Sequence, residues 1–73
     1  MSDTQELKEA LIKMDIDTVI ALTGLSYENA ADKCEQAEKI YENIMGCIRA
    51  GKDSTYFEEQ LSDLVNGLLS MSR

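Results

Sequence analysis

One feature constrains this chain more than any other: an apolar stripe that repeats at helical spacing and is then answered by a second. Tyr27, Ala30, Cys34, Ala37, Tyr41, Ile44 and Ile48 recur at alternating intervals of three and four. That spacing puts every one of them on one face of a helix. After a short glycine-containing stretch, Phe57, Leu61, Leu64, Leu68 and Met71 repeat the pattern. Two apolar faces joined by a short connection predict an antiparallel helical hairpin. The fold class expected is all-α: a small helical bundle built on a long helix over about 27–50 and a second over about 55–70.

The termini of these helices are marked by local chemistry. Ser26 is placed to cap the long helix, and Glu28 in its first turn complements the positive end of the dipole. Gly51 closes it, and Gly46 inside it favours a bend or a close helix contact. Asp53 or Ser54 caps the following helix, where Thr55 and Glu58 have the spacing of a capping box. Upstream, one or two shorter helices are expected. The first covers about 4–14, with Leu7, Ala10, Leu11 and Met14 on its apolar side and either Ser2 with Gln5 or Asp3 with Glu6 at its start. The second covers about 18–23, capped by Asp17 and ended by a left-handed Gly24.

A chain of 73 residues is expected to form one domain, residues 1–73, with little core. At that size only about 60% of the unfolded surface is buried, so such domains commonly borrow stability from disulfides, metals or partners. The two cysteines, Cys34 and Cys47, lie on the same helix. They are separated by roughly 20 Å along its axis, too far to pair. There is no histidine, which excludes histidine-based acid–base catalysis and histidine-containing zinc sites. No segment has the acidic loop of a calcium-binding hand. No cofactor, metal or catalytic residue is therefore expected, and the chain reads as a non-enzyme. Free thiols, a polar start without a signal-like apolar run, and no apolar run of membrane length point to the cytoplasm.

What remains is surface. The formal net charge is −7. An acidic surface repels nucleic acid and anionic lipid and attracts basic proteins. In a heptad register starting at Tyr27, Glu28, Glu35 and Glu42 share one position and line a solvent edge about 10 Å apart. They form a candidate partner-binding row. Carboxylates on one exposed helix face stay hydrated and do not make a catalytic acid pair. Tyr56 and Leu69 fall off the apolar seam of the last helix and are candidate apolar partner contacts flanking the bundle. The C-terminal half of the long helix is apolar over a wider arc, through Ile40, Met45 and Cys47, which calls for more than one neighbour. The first two helices or a second copy of the chain, as a homodimer, would supply it.

Residues 18–33 also carry a partial helix-turn-helix pattern, with Val19, Ile20, Gly24 and Leu25 near the required places. Asn29 could read adenine, but Glu28 and Asp32 would face phosphates and Lys33 stands where that motif wants an apolar residue. The functional expectation is a small acidic protein-binding module, acting as adaptor, inhibitor or chaperone-like regulator on a basic partner. The alternatives are a nucleic-acid mimic that blocks a DNA- or RNA-binding protein, and a DNA-binding regulator of the helix-turn-helix type.

Overall fold

Ser2, Asp15, Ser26 and Ser54 each stand at the start of a helix, and together they divide the chain into four. The computed structural model describes residues 2–71. The elements are α1 (Asp3–Ile12), α2 (Ile16–Thr23), α3 (Tyr27–Arg49) and α4 (Thr55–Met71), and no strand occurs among the described residues. The architecture is the expected small helical bundle, in which α3 and α4 pack most extensively and every helix touches every other.

Ser2 is extended, and its hydroxyl oxygen accepts the amide of Gln5 at 3.3 Å. Asp3 and Glu6 therefore fall in the first turn of α1, where their charge complements the dipole. The helix stops earlier than the apolar pattern suggests. Met14 takes φ 58°, its amide donates to Leu11 at 3.2 Å, and the amide of Asp15 donates to Ala10 at 2.8 Å. This is the Schellman arrangement, with a methionine where glycine is usual. Met14 is thereby turned outward and leaves the stripe.

Closing α1 at Met14 moves the start of α2. Asp15 becomes the cap, accepting the backbone amide of Thr18 at 3.4 Å and its hydroxyl at 2.7 Å. Asp17, the cap expected from the sequence, sits instead inside the first turn. The other end is as expected: Gly24 is left-handed at φ 75° and its amide donates to Ile20 at 2.8 Å. The buried Thr23 hydroxyl donates to Val19 at 2.6 Å and accepts the amide of Leu25 at 3.2 Å, tying the turn that leads into α3.

Ser26 caps α3 through the amide of Asn29 at 3.2 Å. The helix ends in a second Schellman motif around Gly51, at φ 69°, with Lys52 donating to Cys47 at 2.8 Å. Gly46 does not make the close helix contact expected of it: a Cβ there would meet nothing within 4 Å. At α4 the carbonyl of Ser54 accepts the amide of Glu58 at 2.9 Å, and its buried hydroxyl donates to the Glu58 carboxylate. Thr55 does not pair with Glu58. Its amide and hydroxyl donate to Asp53 at 3.1 and 2.6 Å.

The core is drawn from all four helices: Leu7, Ala10 and Leu11, then Val19, then Ala30, Cys34, Ala37 and Ile44, then Leu61, Val65 and Leu68. Fully burying a leucine stabilises by about 1.5–3 kcal/mol. Leu7 and Leu11 therefore hold α1, which at three turns would not persist alone. Two features depart from the expected seams. Val65 is buried in α4, flanked by half-buried Leu64 and Leu69, while Met71 is exposed. On α3, Tyr27, Tyr41 and Ile48 share the stripe but not its burial, at 65%, 37% and 56% exposed.

For Tyr41 and Ile48, helix length bears on this. By helical rise α1 and α2 span about 15 and 12 Å, whereas α3 spans about 34 Å. The molecule measures 38 × 19 × 19 Å, so its long dimension is little more than α3 itself. Ala30, Cys34 and Ala37 are buried in succession, but past them only Ile44 is. Neither α1 nor α2 is long enough to cover the whole of α3, and toward its C-terminal end Tyr41 and Ile48 are left exposed.

Candidate functional site

The acidic row is held on a single unbroken helix. Glu28, Glu35 and Glu42 are all exposed on α3, one heptad apart and so separated by about 10 Å. Asp32 is exposed between them, and Lys39 is exposed one turn from Glu35 and Glu42. On α4, Glu59 and Asp63 are also exposed. Glu58 is engaged by the Ser54 hydroxyl and belongs to the helix start.

The two apolar candidates separate. Tyr56 is 66% exposed and leans edge-on against Phe57, with ring centroids 5.2 Å apart at 74°. Leu69 is half-buried and packs on the core, so it is not an exposed contact. Its position beside Val65, rather than on the Leu64 side, turns it toward the bundle. Sequence reasoning placed Tyr41 and Ile48 on the apolar stripe, yet both are exposed, with half-buried Met45 between them. The signal was present in the mismatch between a 23-residue helix and partners of 10 and 8 residues.

Two concavities mark the surface. A shallow groove of about 550 Å³ runs between α3 and α4, floored by Ile40 and Leu64 and rimmed by Gln36, Lys39, Gln60 and Asp63. A smaller one of about 200 Å³ lies at the α1–α2 corner, with Glu6, Glu9, Lys13 and Asp15 around it. Among the described residues no group of three or more histidine, cysteine or acidic side chains could hold a metal ion, and no helix is long and apolar enough to cross a membrane.

The thiols are placed for packing. Cys34 is buried in the core, and Cys47 is half-buried. Burial, and then the charge of Asp15, push the Cys34 thiol above its ordinary value of 9.0. A neutral buried thiol is a poor nucleophile and behaves as a small apolar side chain. At the α4 start the opposite shift occurs. The hydrogen bonds from the Thr55 hydroxyl and amide hold the Asp53 carboxyl below the usual carboxylate range. Both shifts serve local structure.

No family model matches the chain, and no curated protein or solved structure is similar enough to it to indicate a family.

Proposed function

We propose that the protein is a small, non-enzymatic binding module: an adaptor, inhibitor or chaperone-like regulator whose helical surface engages a basic protein partner. The observation that carries this reading is the acidic row on α3. Glu28, Glu35 and Glu42 are exposed at regular intervals on one rigid rod, and none of them is used in capping the helices. Complementary charge of this kind steers encounter and selects against wrong partners more than it adds affinity. Two free thiols, one of them in the core, suit a reducing cytoplasm.

The test is partner capture by photo-crosslinking from a position on the outer face of α3, followed by a charge-neutral variant. Glu28→Gln with Glu35→Gln should abolish the specific crosslinks while helicity by circular dichroism stays unchanged. Identical crosslinks from the variant would overturn the reading. A captured protein that duplex DNA displaces, with binding falling steeply in salt, would identify the acidic row as a nucleic-acid mimic.

A further inference from the structure

The far half of α3 carries an apolar surface that the chain itself does not cover. Tyr41 and Ile48 are 37% and 56% exposed, and Met45 between them is half-buried. At about 100° per residue the three lie within an arc of roughly 60°. This arc continues the stripe that, nearer the start of α3, is buried as Ala30, Cys34 and Ala37. Three large side chains replace three small ones farther along the same stripe.

The charges beside this arc are sorted along the helix. Glu38 and Glu42 flank it toward the middle of α3, on the outer side. Arg49 flanks it on that same side in the last turn, and Lys52 follows just past the C-terminal cap. The patch is therefore acidic at one end, apolar in the centre and basic at the other end.

We propose that this face is a self-association surface, on which a second copy of the chain packs with its α3 antiparallel, about a two-fold axis near Met45. The charge order argues for that occupant. A two-fold antiparallel pairing brings each flank against the same flank of the partner, reversed in direction. About Met45, this sets Tyr41 across from the Ile48–Arg49 turn of the second copy, Glu38 across from its Lys52, and Glu42 beside its Arg49. Each pair occurs twice. A uniformly basic partner, suited to Glu28 and Glu35, would meet Arg49 and Lys52 with like charge. The net charge of −7 opposes self-association in general. A contact that places cations of each copy against anions of the other is the arrangement that offsets this repulsion. The patch is small beside a standard interface of about 1,600 Å², so the dimer belongs in the micromolar range. The dimer leaves Glu28 and Glu35 open, and it does not depend on the function proposed for them.

Sedimentation equilibrium of the isolated chain, from about 10 µM to about 1 mM, tests the proposal. The wild type should pass from monomer to dimer over that range. Ile48→Glu places a charge in the contact centre and should weaken the dimer by about 100-fold or more. Arg49→Glu breaks two symmetry-related pairs and should weaken it by about tenfold, while the swap Glu42→Arg with Arg49→Glu should restore it to near the wild-type constant. The Arg49 variants change only exposed side chains, so they read the contact even if Ile48→Glu perturbs folding. A wild type that stays monomeric at about 1 mM overturns the proposal. A dimer indifferent to Arg49→Glu, or a swap that fails to restore association while helicity is retained, also overturns it. None of these measurements involves a captured partner, so failure here is distinct from failure of the acidic-row reading.

Discussion

The amide of Asp15 donates to the carbonyl of Ala10 over 2.8 Å, and this one bond both ends α1 and positions the residue that begins α2. It requires Met14 to sit at φ 58°, in the left-handed region that only glycine occupies freely. Gly51 holds the same place at the end of α3, at φ 69°. The chain thus uses one capping geometry twice, once with the residue suited to it and once without.

Replacing Met14 by glycine should therefore stabilise the fold. Left-handed geometry costs a residue with a Cβ about 1–2 kcal/mol, and the greater freedom of an unfolded glycine returns about 0.5–1 of that. The net gain expected is about 0.5 kcal/mol, read as a higher urea midpoint with unchanged slope. Met14→Ala keeps the backbone penalty and is the control: an equal gain from alanine would show that the methionine side chain, and not its φ, limits stability.

Two glycines, one inside α3 and one just past its end, should respond to alanine with opposite signs. Gly46 lies inside the helix, and a Cβ there meets nothing within 4 Å. Gly46→Ala should add about 1 kcal/mol and raise the melting temperature by about 4–8 °C. Gly51 also has room for a Cβ, but its φ is 69°. Gly51→Ala should cost about 1 kcal/mol through backbone conformation alone. Thermal unfolding of both variants checks the pair, and a matching sign would contradict the capping geometry.

Cys34 makes stability fall in alkali. Its thiol is pushed up chiefly by burial, with Asp15 adding to the effect, so the folded protein holds the proton more tightly than the unfolded chain does. The stability this contributes is fully present below the unfolded value, near 9.0, and is lost as pH rises through the folded value. The urea midpoint should lose this contribution only above a pH of about 9.0, and the drop there should be smaller in Cys34→Ala. In the folded protein at neutral pH, a thiol reagent should modify half-buried Cys47 well before Cys34. Simultaneous modification of both would refute the placement of Cys34 in a closed core.

Asp53 acts at the other end of the pH scale. Bonds from the Thr55 hydroxyl and amide depress its carboxyl, so its contribution is present above the unfolded value, about 3.8, and is lost as pH falls through the folded value. Asp53→Ala should lower the urea midpoint at neutral pH, and the gap from wild type should close under strong acid. A gap that persists below pH of about 2 would mean that Asp53 acts through something other than its charge.

Helix identity was legible in the residues because helices are local. The three-and-four spacing, Ser2 and Ser26 as caps, and Gly24 and Gly51 as left-handed stops depend on neighbours within a turn or two. The error at Asp17 has the same origin. Two aspartates two residues apart are equivalent caps in sequence, and only the closure of α1 at Met14 selects Asp15. Exposure of Glu28, Glu35, Glu42 and Tyr56 was legible too, since their positions oppose or flank the apolar stripe.

The residues alone determined an all-α chain centred on a helical hairpin, with one or two shorter helices upstream and helix ends to within a few positions. Only the tertiary structure decided how far each stripe is covered. Periodicity states which side chains share a face, but it does not say how far a neighbour reaches along the axis. Hence Cys34 and Ala37 are buried while Tyr41 and Ile48, on the same stripe, stand open; and Val65, off the expected seam, is buried while Met71, on it, is not. Stopped at Met14 and Gly24, α1 and α2 are too short to cover all of α3, and the three-dimensional packing decides which residues of each stripe become core.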